Sequence, residues 1–210
     1  MRVKPSLVLV AVAVAAALAL GLAGPALAHP HGVMQCALSV AYENGQPTSL
    51  QARLTLDAPH SEQMTAMLRD PTTGQIDAGR QQRLLFSLKA QLARHNWLLQ
   101  AQRQEQIADL TQRDEPRLLV APDGRLAVEL ALNVAALETK TAQSGAPDGN
   151  PSMAWQFSCA DPSLYWVAEF ESTQDPVKVA GCANAWLSAS PKVLTGANAG
   201  SARVEVRCEP

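Results

Sequence analysis

Hydrophobic and polar residues alternate along the first part of the chain beyond residue 32, and this period of two predicts a β-hairpin. The first strand is expected over 33–42 and the second over 50–56. The residues between them, 43–47, include Asn44-Gly45, which is typical of a tight turn. The chain after residue 32 therefore begins with two antiparallel strands.

The period changes after residue 57, and a helical insert is predicted over about 58–95. Asp57 precedes Ala58-Pro59, as an N-cap precedes a first turn that tolerates proline. A short helix is expected to end near Leu68. A longer helix is expected from about Asp77 to His95, with one apolar face of Leu84, Leu85, Leu88 and Leu92.

Beyond residue 96 the alternating pattern returns. It predicts strands over 97–104, 117–120, 126–134, 154–158, 164–170, 177–179, 182–187 and 203–208, with a polar loop over 141–151. Strands around one helical insert predict an α+β fold, a single domain that is mainly antiparallel β-sheet.

Residues 1–28 have the composition of a secretory signal peptide. Arg2 and Lys4 precede an apolar stretch over 7–20, and small residues stand at Ala26 and Ala28. The stretch is short for a membrane span, which needs roughly 20 apolar residues. Cleavage after Ala28 is expected to leave one soluble periplasmic domain, 29–210; an uncleaved N-terminal anchor is the alternative.

Charge and motif content exclude several classes of function. The predicted leader holds two of the 17 basic residues and none of the 19 acidic ones, so residues 29–210 carry a net charge of −4. This charge argues against a nucleic-acid-binding protein, which would have a concentrated basic face. The chain lacks a nucleophile elbow, a phosphate-binding loop and a zinc-protease helix, so an enzyme is not expected.

Four cysteines follow the predicted leader, and an even number in an exported protein predicts two disulfides. No two of them have the spacing of a zinc knuckle. Three pairings are open. We favour Cys182 with Cys208, since both flank one turn-rich segment, which leaves Cys36 with Cys159.

The best candidates for chemistry are His29 and His31, because cleavage after Ala28 would make His29 the first residue. An α-amine and two imidazoles then lie within three residues, and all can bind a borderline transition metal when neutral. Pro30 has no backbone N–H, so binding through deprotonated amides is blocked. The alternative is a frayed terminus without function.

Asp57 and His60 are three residues apart and could add an oxygen and a nitrogen ligand. The favoured alternative is that Asp57 caps the helix and His60 is exposed. Calcium is not expected in the loop-like stretch 69–80, because Arg69 and Arg80 stand at two of its ligand positions.

The chain resembles a bacterial family of exported, functionally uncharacterised proteins. The resemblance is carried by Ala28-His29-Pro30-His31, by Asp57, by the turn Asp161-Pro162 with Tyr165 and Trp166, and by Cys182. Two departures are Ala58, where the family has a second acidic residue, and the missing carboxylates of a calcium-like loop.

Members of that family are often labelled as the periplasmic component of an ABC-type transport system and are encoded near nickel/cobalt-type permeases. The resemblance implies a periplasmic protein that handles nickel, cobalt, copper or zinc for an inner-membrane transporter. His29 and His31 would be ligands, with Asp57, His60 or Asp161 as additions. The other hypothesis is a module that docks onto the transporter without binding metal.

Overall fold

The computed structural model describes residues 32–121, 123–137, 154–163, 165–172, 175–193 and 201–209. The predicted leader, His29, His31 and the predicted loop 141–151 lie outside this part. The described elements are β1 (Gly32–Glu43), β2 (Gln46–Leu56), α1 (Ala58–Leu68), α2 (Ala78–Arg94), a 3₁₀ turn (Asn96–Leu98), β3 (Leu99–Arg103), β4 (Gln106–Ala108), β5 (Leu110–Val120), β6 (Leu126–Val134), β7 (Trp155–Cys159), β8 (Trp166–Phe170), β9 (Val177–Ala180), β10 (Asn184–Val193) and β11 (Ser201–Glu209).

The strands form two sheets. The first has the order β5-β6-β2-β1-β8, with β9 also paired to β1, and the second has the order β10-β11-β7-β3-β4. Every described pairing is antiparallel except those of β1 with β8 and β9, which are parallel. The predicted α+β fold with a mainly antiparallel sheet is confirmed.

One hydrophobic core joins the two sheets. Alternate residues of β1, from Met34 to Tyr42, are buried and belong to the same cluster as Trp155 and Phe157 of β7. Helices α1 and α2 pack over the far end of the first sheet, where Leu68 meets Leu118 and Leu126. The second sheet thus covers one part of the inner face of the first sheet, and the helices cover another part.

Two disulfides are present, Cys36–Cys159 and Cys182–Cys208. They are the pairing favoured from the sequence, which is confirmed. Cys36–Cys159 links β1 of the first sheet to β7 of the second, and both disulfides fit a protein exported to an oxidising compartment. Among the residues that the structure describes, no helix is long and apolar enough to cross a membrane.

Two local predictions were wrong. A strand was predicted from Trp97, but Asn96, Trp97 and Leu98 have positive φ and form a tight turn that buries the Trp97 ring. Most of β5 and all of β4 were missed. The first part of β5 is polar, contains Pro116 and has irregular register, as is typical of an edge strand, which needs no alternating pattern.

Candidate functional site

Asp57 ties the beginning of β1 to the beginning of α1. Its Oδ1 accepts a hydrogen bond from the His60 backbone N–H at 3.1 Å, which caps the helix, and its Oδ2 accepts from the Val33 N–H at 2.9 Å. The Asp57 N–H in turn donates to the Val33 carbonyl oxygen at 3.0 Å. The predicted capping role of Asp57 is confirmed, and it fixes the strand relative to the helix.

His60 lies against this carboxylate and beneath an indole ring. Its Nδ1 is 2.7 Å from Asp57 Oδ1, and its ring meets that of Trp166 edge to face with 4.6 Å between centroids. The side chain is 21% exposed, so the expectation of an exposed His60 was wrong. Trp166, which is distant in sequence, covers the imidazole and accounts for its low exposure.

The contact with Asp57 determines which ring nitrogen of His60 is available. A carboxylate only accepts hydrogen bonds, so a neutral imidazole beside it donates from Nδ1 and keeps the lone pair on Nε2. Histidines that bind metal ions through Nε2 are commonly held in this way by a carboxylate on the other nitrogen. Asp57 therefore orients the imidazole, and His60 Nε2 is the donor that this arrangement provides.

Gly32 lies close to the rings of both His60 and Trp166. A Cβ added at this position would overlap Cζ3 of Trp166 and lie 2.8 Å from Cε1 of His60, so a side chain cannot fit without displacing a ring. Gly32 is also the residue that pairs with Trp166 in the parallel ladder between β1 and β8. Gly32, the first residue of β1, therefore lies beside the His60 and Trp166 rings.

Asp161 is 7% exposed and opens the turn that leads into β8. Its carboxylate accepts hydrogen bonds from the N–H and Oγ–H of Ser163, at 2.9 and 2.7 Å, and from the Trp166 N–H at 3.1 Å. These bonds form the Asx turn predicted from Asp161-Pro162. They position Trp166 over His60, whereas the role of Asp161 as a ligand stays a prediction.

The environment of Asp57 favours its ionised form. Partial burial raises the pKa of this carboxyl, but the hydrogen bonds from Val33 and His60 and the charge of a protonated His60 outweigh it, so the pKa lies below its usual value. Because the folded-state pKa is depressed, ionised Asp57 stabilises the fold above the unfolded-state pKa of about 4. This contribution is lost as the pH falls through the lower, folded-state pKa.

Replacing Asp57 with asparagine is expected to lower the free energy of unfolding at pH 7 by about 1–2 kcal/mol. Asparagine still caps a helix, but its single acceptor oxygen cannot serve both Val33 and His60. As the pH is lowered below about 4, the free energy of unfolding of the variant should also fall less than that of the wild type. Urea unfolding at several pH values measures this difference.

Asp77→Asn is the matched control, since Asp77 caps α2 and accepts from the Arg80 N–H at 2.7 Å. It should cost less than Asp57→Asn. Equal losses in the two variants, with identical acid profiles, would contradict the role given to Asp57.

The structure brings together some of the predicted site residues. Asp57 and His60 are in contact, and Asp161 reaches them through Trp166, whereas His29 and His31 lie outside the described residues. Within the described ranges, no group of three or more His, Cys, Asp or Glu side chains is arranged to hold a metal ion.

The roles of Gly32 and Trp166 in this site were not predicted from the sequence, where Trp166 entered only together with the turn Asp161-Pro162. A signal was available for Gly32, since a glycine that directly precedes a strand often marks a close approach of the backbone to another group.

No curated protein matches the chain. A family model described as "Protein of unknown function (DUF1007)" matches residues 14–201, which include every described element up to the first residue of β11. The matched range also contains Gly32, Asp57, His60, Asp161 and Trp166. The chain therefore belongs to this family of proteins of unknown function.

Proposed function

We propose that the chain is a periplasmic binding protein that carries a divalent transition metal, nickel, cobalt, copper or zinc, as cargo for an inner-membrane transporter. The observation that supports this most directly is the orientation of His60. Asp57 takes up its Nδ1, and Gly32 lies against its Cε1, next to the nitrogen that remains available.

In this proposal the remaining donors are supplied by the residues immediately before Gly32. A Cβ on Gly32 would be 2.8 Å from His60 Cε1, so its Cα lies within about 4.5 Å of the ring, and the Cα of His31 follows about 3.8 Å further along the chain. We take the imidazole of His31 as one further ligand. With His29 and its free amine, three nitrogen donors would then join Nε2 of His60.

This donor set assigns different roles to the two carboxylates. Asp57 already accepts hydrogen bonds from Val33 and from His60, so it serves as the group that orients a ligand. Asp161 is similarly engaged by Ser163 and Trp166. Neutral nitrogen donors suit copper, nickel, cobalt and zinc, and they do not select calcium, which prefers oxygen.

The test is a calorimetric titration of the protein that begins at His29 with each of the four metals. The control protein carries one extra glycine before His29, which moves the amine but keeps every side chain. Micromolar or tighter binding that weakens about tenfold or more in the extended form supports a metal site that uses the terminal amine.

Two other outcomes are informative. Equal affinity in the two forms would remove the amine from the site and leave the imidazoles. Absence of binding with all four metals would overturn the proposal and favour the hypothesis of a docking module, to which Tyr165, a half-exposed aromatic residue near His60, would contribute.

A further inference from the structure

The disulfide Cys36–Cys159 connects the two chain segments that build the site around His60. We infer that the site is assembled only when this disulfide is formed, so that metal binding is coupled to arrival in an oxidising compartment. This inference rests on the proposed metal site for its consequence, but its structural part concerns described residues alone.

The first segment is the beginning of β1. Cys36 is four residues beyond Gly32, and the stretch from Gly32 to Cys36 pairs with Trp166 to Phe170 of β8. The carbonyl oxygen of Cys36 also accepts a hydrogen bond from the Glu171 N–H at 3.0 Å. Val33, whose N–H is held by Asp57, lies within the same short stretch.

The second segment begins at the end of β7. Cys159 is its last residue, and Asp161, which positions Trp166, follows two residues later. Between them, the Ala160 N–H donates to the Leu98 carbonyl oxygen at 2.9 Å. Cys36 and Cys159 are both fully buried, so the bond holds the two segments together from inside the core.

The contact between β1 and β8 is formed by a short strand at the edge of the first sheet. In the described sheet, β8 is an edge strand of five residues, and its pairing with β1 is parallel, which is less stable per residue than antiparallel pairing. Edge strands open locally more readily than central ones. Opening here would separate Trp166 and Gly32 from His60.

Closing the bond requires an oxidant of the disulfide class. The thiolate of one cysteine attacks the oxidant's disulfide, which forms a mixed disulfide and releases one thiolate of the oxidant. The second cysteine thiolate then attacks the cysteine sulfur of this mixed disulfide and releases the oxidant's other thiolate. The protein loses two electrons and two protons, and the oxidant leaves as two thiols. In a reducing cytosol this reaction runs backwards, and the site would stay open.

The test compares two double variants of the protein that begins at His29. Cys36→Ala/Cys159→Ala removes the bond beneath the site. Cys182→Ala/Cys208→Ala is the matched control, because that bond joins the connection between β9 and β10 to β11 and does not involve either segment of the site. We expect zinc affinity to fall at least about tenfold more in the first variant than in the control.

Amide hydrogen exchange gives a readout that does not need metal. The Val33 and Trp166 amides should exchange at least about tenfold faster in the first variant than in the control, relative to the amide of Phe157 in the core. Equal exchange and equal zinc affinity in the two variants would overturn the inference. If the wild type binds no metal, the proposed function fails, but the exchange rates still decide whether the bond secures the site.

Oxidative refolding of the wild type covers the case in which the first variant does not fold. Reduced protein is refolded with oxidised glutathione, samples are blocked with iodoacetamide, and species that lack only Cys36–Cys159 are isolated. These species should bind zinc at least about tenfold more weakly than the fully oxidised protein. Full zinc affinity before this bond forms would overturn the inference.

Discussion

Replacing His60 with alanine is expected to weaken zinc and nickel binding by about a hundredfold or more. The variant removes Nε2, the donor that the Asp57 contact leaves available, and changes of groups that merely orient a ligand already cost about 10–100-fold in affinity. Calorimetric titration of the protein that begins at His29 measures the effect. The free energy of unfolding should fall by only about 1–2 kcal/mol, since His60 is partly exposed.

His95→Ala is the matched control for this experiment. His95 lies beyond the end of α2, where its backbone caps the helix, and it is exposed. Its loss should leave both metal affinities unchanged within about a factor of two. Equal affinities in the wild type and the His60 variant would show that metal, if bound, is held elsewhere.

Replacing Gly32 with alanine should disturb the same site without removing any donor. The added methyl group would overlap Cζ3 of Trp166 and crowd Cε1 of His60, so at least one ring must move. We expect zinc affinity to fall by about 10–100-fold and the free energy of unfolding to fall by about 1–3 kcal/mol, as for other overpacked positions. Calorimetry and urea unfolding provide the two values.

Gly79→Ala is the control for a change from glycine to alanine. A Cβ at Gly79, near the beginning of α2, would approach Oδ1 of Asp77 to 3.3 Å, which is a milder contact than that at Gly32, and alanine favours the helix. This variant should bind zinc as the wild type does and lose less stability than the Gly32 variant. Unchanged zinc affinity in the Gly32 variant would contradict the close approach on which the site depends.

Local patterns were sufficient to predict much of the fold. The change of period and the N-cap signal at Asp57, together with the apolar face of α2, predicted both helices within a few residues. The alternation over 126–134 predicted β6 with its observed bounds. These features depend on neighbours in the sequence, so the sequence alone contains them.

Partners that are distant in sequence were not predictable in this way. The alternation of β1 shows which of its faces is buried, but not that its free edge pairs in parallel with β8 and β9. No local signal connects Gly32 with Trp166. The disulfide pairing was easier to predict, because four cysteines allow only three pairings.

The candidate site likewise combines contacts between neighbours in the sequence with contacts between distant residues. The position of Asp57 before the first turn of a helix predicted the cap, whereas the contact of its side chain with the His60 imidazole belonged to the less favoured interpretation. It did not predict that the carboxylate would be shared with Val33, or that Trp166 would cover the imidazole. Both of these neighbours come from strands whose positions depend on the whole first sheet.

The most direct test of the metal site is a nitrogen-15 NMR titration of the histidine rings with zinc, in the protein that begins at His29. Nε2 of His60 should shift in proportion to zinc until one equivalent is bound, Nδ1 should stay protonated against Asp57, and His95 should not change. A His60 ring that keeps both nitrogen shifts through a full equivalent of zinc would contradict the proposed site.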